Sequence, residues 1–137
     1  MTGKIPKKNP REEIDEYGRN PLHYSVLKGE MDAVEQAIFE GIDVSSQDDN
    51  GMTPLHFAAQ EQHIEVTKTL LQAGANPNIY DRNGNGPLWV AVLSTRESFA
   101  IVKMLLDAGA EPDKLNNAKR SPKDLALEIG HGFEEYF

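Results

Sequence analysis

Four histidines, His23, His56, His63 and His131, are the side chains in this sequence best suited to chemistry. An imidazole close to a threonine, as His56 stands to Thr53, could act as a general base, and several together could hold a metal ion. Carboxylates are plentiful, with neighbours at Asp48-Asp49 and Glu134-Glu135, and Asn83-Gly-Asn-Gly86 resembles a glycine-rich loop. The spacing argues against each of these. The acids follow no calcium-loop pattern, and there is no dinucleotide glycine motif, Walker sequence or nucleophile elbow. With no cysteine, neither a disulfide nor a thiolate zinc site can be built. No catalytic residue, metal site or cofactor is expected.

The histidines recur together with their surroundings. Asp15-Glu-Tyr-Gly-Arg-Asn-Pro-Leu-His23, Asp48-Asp-Asn-Gly-Met-Thr-Pro-Leu-His56 and Asp81-Arg-Asn-Gly-Asn-Gly-Pro-Leu-Trp89 follow one another at a period of 33 residues. A fourth copy, Asn116-Asn-Ala-Lys-Arg-Ser-Pro-Lys-Asp124, comes after 35, the two extra residues falling around Ser94-Thr-Arg-Glu-Ser98. His56 is therefore one copy of a repeated part. In each unit Asp-x-x-Gly predicts a tight turn. A cap (Asn20, Thr53, Gly86 or Ser121) and a proline then open a short helix. A second helix carries the apolar stripe, Ile64, Val66, Leu70 and Leu71 in unit two and Ile101, Val102, Leu105 and Leu106 in unit three. Gly41, Gly74 and Gly109 stop it.

Thr53-Pro-Leu-His-Phe-Ala58, the period, and the wider D-x-x-G-x-T-P-L-H … L-L-x-x-G-A pattern over about residues 15–130 resemble the ankyrin-repeat family. The resemblance implies an all-α solenoid of helix-turn-helix units joined by extended turn or hairpin loops. The expected units are 15–47, 48–80, 81–115 and a truncated 116–137, making a domain over 14–137 behind a flexible leader at 1–13. It also implies that His23 and His56 brace turns, and that His63 and His131 begin second helices.

Three departures stand out. Gly86 and Trp89 replace threonine and histidine in unit three, so its first helix should start softly, and Trp89 either packs between units or joins a binding surface. The insertion is either tolerated loop length or a place where Thr95 and Arg96 make contacts. Unit four lacks the turn signature, with Lys119 at the glycine position. Its Phe133, Tyr136 and Phe137 keep helical spacing on a second helix and should seal the end of the stack. At the other end Ile5, Ile14 and Tyr17 are candidates to close unit one.

Charge narrows the partner. The first 11 residues hold four of the 14 basic side chains, leaving 10 basic against 22 acidic groups over residues 12–137, a balance of −12. Such a body repels nucleic acid and attracts basic proteins. No apolar run approaches the roughly 18 residues of a membrane span, and the first residues hold no apolar secretory core. The expectation is a cytoplasmic protein, monomeric when unbound.

By the resemblance, a folded protein partner engages turn tips and first-helix ends. These positions are Glu16, Tyr17 and Arg19 in unit one, then Asp49, Asn50 and Met52, then Arg82, Asn83 and Asn85, then Asn117 and Arg120. Gln47, Tyr80 and Leu115 precede turns, while Leu27, Lys28, Gln60, Glu61, Leu93 and Ser94 end first helices. Tyr17, Met52, Tyr80 and Trp89 offer hot-spot chemistry. Tyr80 ranks first because its register predicts exposure, with packing against a neighbouring turn as the alternative. The resemblance extends to small inhibitor or immunity proteins that cover a toxin's active site, a basic or mixed-charge enzyme being the implied target. A regulatory scaffold that tethers or masks a signalling, transcription or cytoskeletal protein is the alternative.

Overall fold

Each unit begins with the same local physics. A proline at the first helical position has its φ preset and gives up an N–H that would otherwise be orphaned. Accordingly Pro21, Pro54, Pro87 and Pro122 open four eight-residue helices. The computed structural model describes residues 14–96 and 98–137. Among these are seven α-helices and no strand: α1 Pro21–Lys28, α2 Met31–Phe39, α3 Pro54–Glu61, α4 Ile64–Gln72, α5 Pro87–Ser94, α6 Ala100–Asp107 and α7 Pro122–Ile129. The expected leader and Ile5 lie outside the described residues.

The caps show what the repeated histidine does. The Asn20 side-chain oxygen accepts the His23 N–H at 3.1 Å, and His23 Nδ1 in turn accepts the Asn20 N–H at 3.0 Å. Thr53 and His56 repeat this at 3.3 and 3.0 Å. An imidazole thus fills the reciprocal position that a Glu or Gln takes in the usual capping box. In unit four Ser121 and Asp124 close the same box at 3.1 and 2.9 Å. In unit three Gly86 offers no side-chain cap, as expected from its lack of a side chain.

First helices stack as one layer, α1 on α3, α3 on α5 and α5 on α7, and second helices as another, α2 on α4 and α4 on α6. The core is the seam between the layers. Leu22, Val26, Leu55, Ala58, Ala59, Leu88, Ala91, Val92 and Ala126 come from the first layer, and Val34, Val66, Leu70, Ile101, Val102 and Leu105 from the second. The alanines let first helices approach closely, and each fully buried leucine contributes about 2 kcal/mol through area removed from water. Ile64 departs from the expected stripe. It is 40% exposed, because it opens α4 on the side away from the seam, while Leu71 and Leu106 are half-buried.

The two ends differ from expectation. Unit four has no second α-helix, only a 3-10 turn at Phe133–Glu135. His131 (φ 51) and Gly132 (φ 97) are both left-handed, which breaks the helical path where α4 and α6 would begin. His131 is consequently an exposed bend residue, whereas His63 does precede α4, as its N-cap. The aromatic seal forms nonetheless: Phe133 is buried, with Phe99 at 4.9 Å and Phe137 at 6.3 Å between ring centroids, and Tyr136 lies 5.2 Å from Phe99. At the other end Ile14 (52% exposed) and Tyr17 (54%) stay at the surface and do not close unit one.

Candidate functional site

The turns form a rigid spine along one edge of the stack. In each, one side-chain oxygen gathers two backbone donors. Asp15 Oδ1 accepts from Tyr17 and Arg19 N–H, Asp48 Oδ1 from Asn50 and Met52, Asp81 Oδ1 from Asn83 and Asn85, and Asn116 Oδ1 from Ala118 and Arg120, all between 2.9 and 3.1 Å. Successive turns then bond to one another. Asp49 N–H donates to the Tyr17 carbonyl at 2.8 Å, Arg82 N–H to Asn50 at 3.0 Å and Asn117 N–H to Asn83 at 2.9 Å. The fourth turn closes like the rest even without the expected glycine, since Lys119 takes a left-handed φ of 64 there. An asparagine oxygen does the work of the aspartate.

The histidines tie first helices to this spine. With Nδ1 accepting from the cap, the proton sits on Nε2 and is donated across the unit boundary. His23 Nε2 reaches the Ser46 carbonyl at 2.9 Å and the Met52 carbonyl at 3.2 Å, and His56 Nε2 reaches Asn85 at 2.9 Å. Both rings are 0% exposed, and burial holds both below the usual histidine range, so they are neutral. The two rings belong to different units, and no group of three potential metal ligands occurs among the described residues.

Six of the expected contact residues, Arg19, Asn50, Met52, Gln60, Arg82 and Asn83, line one open groove across the first three turns, together with Phe57 and Asp81. Arg19 is held firmly there. Its Nε lies 3.1 Å from the Asp48 carboxylate, whose side chain is wholly buried, and its guanidinium carbon sits 5.1 to 5.7 Å from the rings of Phe57, Tyr17 and Tyr24. Arg82 Nη1 donates to Asn50 Oδ1 at 3.3 Å. Phe57 was not singled out from the sequence. Its signal was the position after the repeated histidine, which changes from Tyr24 to Phe57 to Val90 between units.

Tyr80 is less exposed than its register predicts and packs against a neighbouring loop, the alternative stated for it. The ring is half-buried in a separate crevice with Trp89, Gly86, Glu111, Lys114 and Pro122. Its hydroxyl donates to Glu111 Oε1 at 2.5 Å and the Lys114 ammonium lies 4.8 Å from the ring centroid. Burial, then the bond to Glu111, raises its pKa well above the usual tyrosine range. A Cβ on Gly86 would come within 3.2 Å of Tyr80 Cε1, so the missing cap of α5 makes room for this ring. Trp89 is half-buried against the core, in keeping with a packing role.

Several other expected contacts are occupied internally. Gln47 Nε2 donates to the Gly51 and Tyr80 carbonyls, each at 3.2 Å. Asn85 Oδ1 accepts from Asn116 Nδ2 at 2.8 Å, Asn117 Nδ2 donates to the Arg82 carbonyl at 2.9 Å, and Arg120 pairs with Glu128 at 2.7 Å. In the insertion the Thr95 hydroxyl bonds back to the Ala91 carbonyl at 2.7 Å, ending α5, while Arg96 is exposed. Glu16, Tyr17, Lys28, Asp49, Glu61, Leu93 and Leu115 are exposed outside the groove lining, and Leu27 and Ser94 are half-buried.

Tight proline-opened helices, a stack two helices deep and a bonded spine of turns all belong to one architecture. The family model described as ankyrin repeats (3 copies) matches residues 22–116, and the chain belongs to that family. Ankyrin repeats are protein–protein interaction modules, and the family is non-catalytic. No curated protein matches the sequence. No described helix is long and apolar enough to cross a membrane.

Proposed function

We propose that this chain is a non-catalytic module that binds a folded protein through the groove on its first three turns. The observation that carries this reading is the groove itself, where the half-buried Met52 and the edge of the buried Phe57 lie among Arg19, Arg82 and Asp81. An apolar floor ringed by anchored charges is the composition of an interface centre. Its backbone is already fixed by the turn bonds, so little ordering entropy opposes association.

The excess of acid over residues 12–137 favours a partner with basic surface, which would be steered in before docking. Within that reading the partner is an enzyme inhibited on binding, as for an immunity protein and its toxin. A tethering or masking role for a regulatory partner is the alternative. The insertion and the Arg96 beside it then supply an outlying contact. Reversing charge at Arg82 together with Met52→Ala should weaken capture of the partner at least tenfold and leave the melting temperature nearly unchanged. Equal capture by this double variant would remove the groove from the interface. Loss of the partner's catalytic activity in the complex supports inhibition, and full activity in the complex supports tethering.

A further inference from the structure

The spine of turns has a direction. In every described rung the later turn donates an N–H, from Asp49, Arg82 or Asn117, and the earlier turn accepts it at Tyr17, Asn50 or Asn83. By the same register Glu16 carries the donor at the first turn and Ala118 the acceptor at the fourth. Among the described residues nothing continues the ladder past either position. Such a ladder edge invites pairing with another chain, as the edge of a β-sheet does. The molecule's own first turn is the best-matched occupant for its fourth. Asp15 and Glu16 are acidic at one end and Lys119, Arg120 and Lys123 basic at the other, with Ile14 and Tyr17 exposed on the first and Leu115 and Leu127 on the second.

One position decides whether such a contact can form. A Cβ on Gly18 would lie 2.8 Å from Asp49 N, one on Gly51 would lie 2.9 Å from Asp81 Cα, and one on Gly84 would lie 3.1 Å from Asn116 Cα. The turn glycines therefore do more than accept a left-handed backbone: the following turn uses the space that their side chains would fill. Lys119 holds that position in the fourth turn, with the same left-handed backbone at φ 64. Its Cβ and charged stem stand where the backbone of a following turn would have to lie.

We propose that Lys119 is a stop that prevents a second copy of this chain from docking its first turn onto the fourth. Without it the contact is head-to-tail and does not close on itself, so association would be open-ended. The contact uses the turn spine and is independent of the partner groove.

The test compares Lys119→Gly with Lys119→Asn by sedimentation over a hundredfold range of concentration. Asparagine tolerates the left-handed backbone but keeps a Cβ, so it relieves strain without vacating the space. Wild type and Lys119→Asn should remain monomeric, and Lys119→Gly should show a weight-average mass that rises with concentration to at least twice the monomer. Adding Glu16→Pro to Lys119→Gly should restore the monomer, since proline suits the second position of the turn and removes the donor. Thermal melts at or above wild type for both single variants confirm intact folds. A monomeric Lys119→Gly, or association that persists with Glu16→Pro, would overturn the proposal.

Discussion

The boundary between units two and three and the one between units three and four join helices of the same kind by different chemistry. At the former, His56 caps its own helix and donates to the Asn85 carbonyl of the next turn, wholly out of solvent. At the latter, Trp89 occupies the histidine position, no side chain caps α5, and the join is made nearer the surface by the bonds from Asn116 to Asn85 and from Asn117 to the Arg82 carbonyl. The first arrangement concentrates stability in one buried, titratable ring. The second spreads it over half-exposed groups. One backbone geometry is thus maintained by two sets of contacts, which should fail under different conditions.

The largest contrast comes from deleting the ring. His56→Ala strands the buried Thr53 N–H, takes the donor from the half-buried Asn85 carbonyl and leaves a cavity, costing about 3 kcal/mol. This exceeds the roughly 1 kcal/mol expected for one lost turn bond, because the ring serves two unit faces. Chemical denaturation would measure it, and a loss below about 1 kcal/mol would mean that the ring merely fills space.

Acid comes next. Burial depresses both histidines, so between the folded pKa and about 6.5 the unfolded chain binds more protons than the folded one. Stability is therefore full above that range and falls as pH drops through it, by at most about 1.4 kcal/mol per pH unit for each ring. Hydrogen exchange at pH 5 should show α1 and α3 loosening before α7. Uniform loosening would erase the distinction between the boundaries.

The smallest effect reverses an ordinary rule. Supplying the missing cap with Gly86→Thr should stabilise a helix by about 1 kcal/mol. Here it should destabilise by a similar amount, because the new side chain meets the Tyr80 ring. In a Tyr80→Gln background, which copies Gln47 of the preceding boundary, the sign should reverse. Additive effects in this double-mutant cycle would show that cap and ring are uncoupled.

The repeat was legible because its physics is local. Proline, cap and turn glycine act within a few residues, and their recurrence exposed four units. Lys119 was read as a lost turn because its residue type disfavours the backbone that the turn needs. The carboxamide of Asn116 and contact with the preceding turn impose that backbone anyway. Unit four's second helix was read from aromatic spacing, which also fits a 3-10 turn, and the left-handed pair at His131 and Gly132 leaves little trace in periodicity. The exposure of Tyr80 was overestimated for a different reason. Its register did point outward, but the partner that covers it, Glu111, lies 31 residues away on the next loop, and contact at that range has no sequence signature. The groove was recovered through Arg19, Asn50, Met52, Gln60, Arg82 and Asn83, whose positions follow from the register alone. Phe57 was not singled out, because its register alone does not show that its ring edge reaches the groove.

The polarity of the turn spine also bears on how such a molecule changes size. A duplicate of residues 48–80 spliced in behind the original would find an acceptor on the turn before it and offer one to the turn after it. Lengthening from the middle therefore preserves every rung, whereas adding a module behind the fourth turn requires the lysine there to change first. New binding area is more readily gained by copying an interior segment than by extending the tail.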